Sequence, residues 1–174
     1  MVLSINNFNL LISTSRFNEE NAKAELWFTL LMCGIKYPII SNLNYSGLLT
    51  AFINQDIRII ISKIKKILDN EPTFFQYILK IVPIDFVCDT DINIIDEIVK
   101  KYYIDYINPD ESFMINLKRR KSELVERGSF INRIATGIKN PVDLSNPDKI
   151  IWIEILGNRC GISFIRSSDI ISVS

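Results

Sequence analysis

The sequence predicts an α+β fold, and three observations support this prediction. Apolar residues recur at helical spacing in some segments and alternate or run continuously in others, so helices and strands are interspersed. Turn residues interrupt the pattern near Pro83 and divide the chain into two halves. The 174 residues, of which 48% are apolar, suffice for two small domains with a core each.

The first half is predicted to alternate strands with two helices. Asn18 is the predicted N-cap of the first helix, and Gly34 is its C-terminal stop. The second helix carries a clear amphipathic stripe that Asp69, Asn70 and Pro72 interrupt. The elements, in order, are a strand at 8–14, a helix at 19–33, strands at 37–43 and 47–53, a helix from Ile57 to Leu68 and a strand at 75–82. This order is that of ferredoxin-like folds.

The second half also mixes helices and strands. The run at 113–119 alternates apolar and polar residues, which indicates a half-buried strand. The run at 150–156 is nearly all apolar, which is typical of a strand covered on both faces. The predicted elements are a helix capped by Thr90 or Asp91 and ended by Asn108, a strand at 113–119, an exposed loop through 129, a helix from Ser129 to Ile138, and strands at 150–156 and 161–165 around the tight turn 157–159.

The composition excludes several classes of chemistry. Histidine is absent, which removes the commonest general base and metal ligand. Cys33, Cys88 and Cys160 lie far apart without a CxxC pair, so we expect buried, reduced thiols and neither a zinc site nor a disulfide framework. No apolar run is long enough to span a bilayer and no leader is evident at the start, so we expect a mature cytoplasmic protein that has no membrane partner.

Local charge is more informative than the total, because Lys plus Arg and Asp plus Glu both number 20. Residues 118–139 contain seven basic and two acidic residues, and such a patch can displace counterions from a phosphate backbone. The alternative interpretation is a solvated strand end. The candidate RNA-binding residues are Lys118, Arg119, Arg120, Lys121, Arg133, Lys139, Asn140 and Arg159.

Acidic residues cluster at Asp85, Asp89 and Asp91. A metal-dependent enzyme built on these carboxylates is one alternative, although closely spaced carboxylates without histidine or a glycine-rich loop more often cap helices. We therefore predict no catalytic residue, no metal ligand and no cofactor.

Several segments of the second half together resemble the THUMP domain, an RNA-binding module of tRNA-modifying proteins. They are KRR at 118–120, ATGI at 135–138 and VDLSNPDKIIWIEILGNRCGIS at 142–163. In addition, segments 10–26 and 78–92 are similar to stand-alone THUMP proteins that assist tRNA cytidine acetylation. The resemblance implies a ferredoxin-like domain at 1–86 packed on a THUMP domain at 87–174, with a basic rim that meets the 3′ acceptor end of tRNA.

The function that this resemblance implies is that of an adaptor without catalysis of its own. It would bind tRNA and present it to a separate enzyme, most simply a cytidine acetyltransferase that forms N4-acetylcytidine. A first alternative is the RNA-binding subunit of a split tRNA thiolation or methylation system. A second is a purely structural protein–protein module, which would lack affinity for RNA.

Overall fold

The computed structural model describes residues 7–120 and 126–173, which form two compact units. The first unit comprises the described residues up to Ile84 together with those from Ser168 onward, and the second comprises Asp85–Ser167. The elements, in chain order, are β1 (Leu10–Thr14), α1 (Glu19–Met32), β2 (Ile39–Asn42), β3 (Leu48–Phe52), α2 (Ile57–Asn70), β4 (Ile78–Pro83), β5 (Phe86–Asp89), α3 (Ile92–Tyr106), β6 (Phe113–Arg120), α4 (Arg127–Ala135), β7 (Lys149–Leu156), β8 (Arg159–Ile165) and β9 (Ile171–Ser172).

The first unit is a five-stranded antiparallel sheet in the order β2-β3-β1-β4-β9, with α1 and α2 packed on it. The first six elements follow the order β-α-β-β-α-β that the sequence predicts. Asp56 begins α2, because its carboxylate accepts hydrogen bonds from the backbone of Arg58 (2.9 Å) and Ile59 (3.4 Å). The stripe of α2 then buries Ile60 and Ile64 against the sheet.

The C-terminal residues do not stay with the second unit, to which the sequence-based division at 86/87 assigned them. β9 pairs with β4 at Lys80↔Ser172 and Ile81↔Ile171, and the Ile171 side chain is buried in the first core. Burial of this side chain and two register pairs hold the segment there. A strand of two residues is too short to produce a recognisable sequence pattern.

The second unit is a four-stranded sheet in the order β5-β8-β7-β6, with α3 and α4 packed on one side. β6 is parallel to β7, whereas β8 is antiparallel to both β7 and β5, so β5, β6 and β7 all run in the same direction. We use the name carboxyl edge for the end of the sheet at which these three strands terminate. The opposite end, at which they begin, is the amino edge. Both helices begin at the carboxyl edge, because α3 follows β5 and α4 follows β6.

Two details of the second unit differ from the sequence-based expectation. β5 was not predicted, because four residues between turn-prone segments carry little periodicity. The helix predicted from Ser129 to Ile138 spans Arg127–Ala135 instead, and its N-cap is Glu126. Among the described residues, no helix is long and apolar enough to cross a membrane.

The first core allows a matched test of packing on α2. Ile60 is fully buried, whereas its neighbour Ile59 is 54% exposed. We expect Ile60→Ala to lower the free energy of unfolding by about 2–5 kcal/mol, because it removes buried apolar atoms and leaves a cavity. Ile59→Ala should change that free energy by less than about 1 kcal/mol. Urea unfolding of the two variants measures the difference, and equal losses would contradict this account of the core.

Candidate nucleic-acid interface

The basic end of β6 is held in the sheet up to its last residue. β6 pairs with β7 through eight consecutive register positions, the last of which is Arg120↔Leu156. Side chains alternate along a strand, so Arg119 lies on the same side as the buried Leu117, which packs with the helices. Lys118 and Arg120 lie on the opposite side. All three basic side chains are exposed, so the strand presents positive charge on both of its faces.

Lys118 sits above an aromatic ring of the neighbouring strand. Its Nζ lies 5.6 Å from the ring centroid of Trp152, a distance at which a cation–π interaction operates. Trp152 Nε1 donates a 2.9 Å hydrogen bond to Glu154 Oε2, and both of these side chains are buried. The contact with Trp152 therefore orients the Lys118 side chain over the neighbouring strand, although Lys118 remains exposed.

Arg159 lies at the same edge, beside the end of β6. It is the first residue of β8 and pairs with Leu156 on one side and Asp89 on the other. Its Nη1 lies 2.7 Å from Asp89 Oδ1. The positive charge of Arg159 is thus partly neutralised by a carboxylate of its own unit.

The start of α4 adds one cation and one anion to the carboxyl edge. Arg127 donates from Nη1 to the Leu117 carbonyl over 2.8 Å. Glu126 accepts hydrogen bonds from the Ser129 hydroxyl and from the backbone of Ser129 (2.6 Å) and Gly128 (2.9 Å). These bonds, led by the one from the Ser129 hydroxyl, lower the pKa of Glu126 to about 2, and Arg119 contributes a smaller lowering.

Arg133 lies on α4 and contacts α3. Its Nη2 donates to Asn93 Oδ1, and its Nε lies 3.9 Å from Asp96 Oδ2. Among the described residues, the carboxylate nearest to Arg133 is therefore that of Asp96, on α3. The packing of α3 beside α4 brings these residues together, and sequence separation alone does not reveal that neighbour.

Lys139 and Asn140 lie at the amino edge and do not extend the basic end of β6. Asn140 is buried, and its Nδ2 donates to the carbonyls of Asn108 (2.7 Å) and Glu111 (3.0 Å), which lie in the segment before β6. The eight residues of β6 separate the two edges by roughly 23 Å. The structure therefore does not bring Lys139 and Asn140 together with the basic end of β6, and the buried amide of Asn140 hydrogen-bonds the segment before β6.

Lys121 lies outside the described residues. The described basic residues of the carboxyl edge are Lys118, Arg119, Arg120, Arg127 and Arg159, and its acidic residues are Asp89, Asp91 and Glu126. Arg127, the first residue of α4, was not among the predicted RNA-binding residues. At the amino edge Lys149 and Arg166 both face Glu111, at 3.7 and 2.9 Å. The carboxyl edge is the stronger candidate interface.

The three clustered carboxylates of the sequence serve separate partners. Asp85 accepts from Ser163 Oγ (3.1 Å) and the Phe164 backbone (2.9 Å), Asp89 pairs with Arg159, and Asp91 caps α3. Within the part of the chain that the structure describes, no group of three or more His, Cys, Asp or Glu residues is arranged to hold a metal ion.

The second unit, which carries this edge, is similar to a known domain. Residues 89–164, all of which lie in the second unit, match the family model of the THUMP domain. Among curated protein sequences, none matches the chain.

Solved structures of similar fold extend over most of the chain. PH1313 from Pyrococcus horikoshii Ot3 superposes with a TM-score of 0.66 at 15% identity, over 95% of this chain and 55% of that chain. TrmN from Thermus thermophilus superposes with a TM-score of 0.56 at 12% identity, over 89% of this chain and 44% of that chain. A 4-thiouridine synthetase in complex with RNA and bound ATP superposes with a TM-score of 0.53 at 14% identity, over 95% of this chain and 42% of that chain. The chain thus spans about half the length of these proteins, and at such identities the likeness shows the fold alone.

The cap at Glu126 should make the stability of the second unit depend on pH. The pKa of Glu126 is lowered from 4.5 to about 2 in the folded protein, so its stabilising contribution is complete above pH 4.5 and is lost as the pH falls towards 2. We expect Glu126→Gln to reduce stability at pH 6 and the deficit to shrink below pH 4.5. Glu97→Gln, on an exposed position of α3, is the matched control. Urea unfolding across this pH range measures both variants, and a deficit that stays constant with pH would contradict the cap.

Proposed function

We propose that this chain binds tRNA through the carboxyl edge of its second unit. The observation that supports this most directly is the exposed Lys118-Arg119-Arg120 run at the end of β6, inside a THUMP domain. A THUMP domain indicates RNA binding in tRNA modification. Three adjacent cations on a strand that is paired to its last residue form a rigid contact for a phosphate backbone.

The alternation of β6 suggests how the backbone is held. Lys118 and Arg120 lie on one side of the strand and Arg119 on the other, so the three cations surround the strand end. A phosphate backbone that crosses this end can contact both sides. Arginine forks can hold phosphate oxygens in bidentate pairs, whereas Lys118 contributes a point charge. Such contacts position RNA without reading its sequence.

At a finer level, we propose that the chain delivers tRNA to a separate enzyme that supplies the catalysis, and that this enzyme is a cytidine acetyltransferase forming N4-acetylcytidine. The support is the resemblance of segments 10–26 and 78–92 to adaptors of that type. The alternative is that the chain is the RNA-binding subunit of a split tRNA thiolation or methylation system. The fold shared with a 4-thiouridine synthetase solved in complex with RNA supports this alternative. The enzyme that co-purifies with the chain at low salt distinguishes the two.

Paired substitutions test the RNA surface. We expect Arg119→Ala with Arg120→Ala to weaken the binding of different tRNAs by similar factors, because lost phosphate contacts carry no sequence information. Each lost contact should lower the slope of log affinity against log salt by about 0.7 for single-stranded and about 0.9 for duplex RNA. Lys65→Ala with Lys66→Ala, on α2, removes the same charge elsewhere. Binding titrations at several salt concentrations measure these effects.

Either of two results would contradict the proposed surface. One is normal affinity of the Arg119/Arg120 variant at physiological salt. The other is an equal loss in the Lys65/Lys66 variant, which would indicate attraction to the overall charge of the protein.

The accessible 3′ end of tRNA should contribute to affinity, and the separation of the two edges allows its position to be tested. Single-stranded ends are the parts of a folded RNA that a protein reaches most easily. We expect a tRNA trimmed of its unpaired 3′ nucleotides to bind less well than intact tRNA. If the end reaches the loop at 139–144, Lys139→Ala should weaken the binding of intact tRNA and leave that of trimmed tRNA unchanged. Equal affinity of the wild-type protein for both RNAs would rule out recognition of the end.

A further inference from the structure

Two cysteines that are 72 positions apart in the sequence meet across the β5–β8 pair. Cys88 and Cys160 are direct register partners on antiparallel strands. The backbone bond from Thr90 N to Asn158 O, two positions along the ladder, places Cys88 and Cys160 at a hydrogen-bonded pair, for which the Cα atoms are about 5.5 Å apart. A disulfide requires a Cα separation of about 4.4–6.8 Å, so the backbone can accommodate one without a change of register.

The two side chains also point towards the same region. Directly paired residues of a sheet project on the same side, and both cysteines belong to the core between the sheet and the helices. Each thiol shifts the pKa of the other, and the Cys160 thiol also donates to the Gly161 carbonyl, which lies 3.7 Å from its Sγ. The geometry points to a thiol–disulfide redox site formed by Cys88 and Cys160, whose oxidant is a small-molecule disulfide.

The two thiols are not equivalent, and this difference fixes the order of reaction. The neighbouring Cys160 thiol lowers the pKa of Cys88, and Arg159 lowers it to a smaller degree, whereas burial, Asp89 and Asp91 oppose this lowering. The interaction with Cys88 and burial both raise the pKa of Cys160. Cys88 also lies on the edge strand of its sheet and, although buried, retains 8% of its surface accessible, whereas Cys160 is fully buried on an inner strand. Cys88 is therefore the thiol that an external reagent meets first.

The reaction proceeds by two exchanges. The Cys88 thiolate attacks one sulfur of the small disulfide, forms a mixed disulfide and releases one small thiolate. Cys160 then loses its proton, and its sulfur attacks Cys88 Sγ to form the Cys88–Cys160 bond and release the second small thiolate. The protein loses two protons and two electrons, and the small disulfide is reduced to two thiols. The second step is intramolecular, so the burial of Cys160 does not prevent it.

The folded wild-type protein provides the first test, with glutathione disulfide as the oxidant. We expect the intact mass to fall by two hydrogen atoms, and tryptic peptides 81–100 and 160–166 to become linked until a reductant is added. Cys33 is the matched control within the chain, because it is buried, lies in the first unit and has burial as the main cause of a raised pKa. It should remain reduced. Absence of the linked peptides, or a link that includes Cys33, would overturn the proposal.

Single substitutions test the order of attack. We expect Cys160→Ser to retain glutathione on Cys88, because the resolving thiol is missing. Cys88→Ser should leave Cys160 unmodified in the folded protein. Circular dichroism checks that each variant is folded, and the wild-type experiment remains decisive if one is not. Equal labelling of the two variants would overturn the assignment of Cys88 as the attacking thiol. None of these outcomes depends on RNA binding.

Discussion

The parallel pairing of β6 with β7 is the constraint on which the rest of the second unit depends. Two parallel neighbours need a crossover connection, and α4 is the helix of that connection. The pairing fixes the direction of α4, brings the end of β6 beside the turn between β7 and β8, and sends the 136–148 segment to the opposite edge. Both the basic edge and its separation from Lys139 follow from this one alignment of eight register pairs.

Local patterns were sufficient to predict most of the elements and the basic end of β6. The alternation at 113–119 identified a half-buried strand with exposed cations at its end, because period two is visible within a few residues. The sequence alone also grouped Lys139 with this strand end, whereas the structure places Lys139 at the amino edge. Residue order does not determine which end of a strand a later loop approaches, so a charge count over 118–139 merged two edges of the sheet. Likewise, the β9 pairing depends on contacts across about 90 positions that no local pattern encodes.

The charges of the carboxyl edge suggest an interface that depends more on the positions of individual charged side chains than on the total charge. Asp89 forms an ion pair with Arg159, and Glu126 remains ionised at neutral pH because its pKa is about 2. These carboxylates reduce the long-range field of the nearby cations, in a chain whose formal net charge is zero. Attraction to phosphate should therefore be short in range and greatest at the end of β6. If this edge binds RNA as proposed, we expect it to favour RNA that fits the edge over polyanions in general.

Several residues of the segments that resemble the THUMP family maintain the fold. Gly137 has a φ of +93°, which disfavours other residues, and a Cβ atom there would lie 3.2 Å from Cε of Lys100. Lys100 in turn hydrogen-bonds the Ile134 carbonyl near the end of α4 over 2.9 Å and pairs with Asp96. Asp143 accepts from the backbone of Ser145 and Asn146 and shapes the loop that leads into β7. The recognisable sequence pattern thus encodes the sheet and its turns, whereas the proposed RNA contacts rest on a few exposed cations at one strand end.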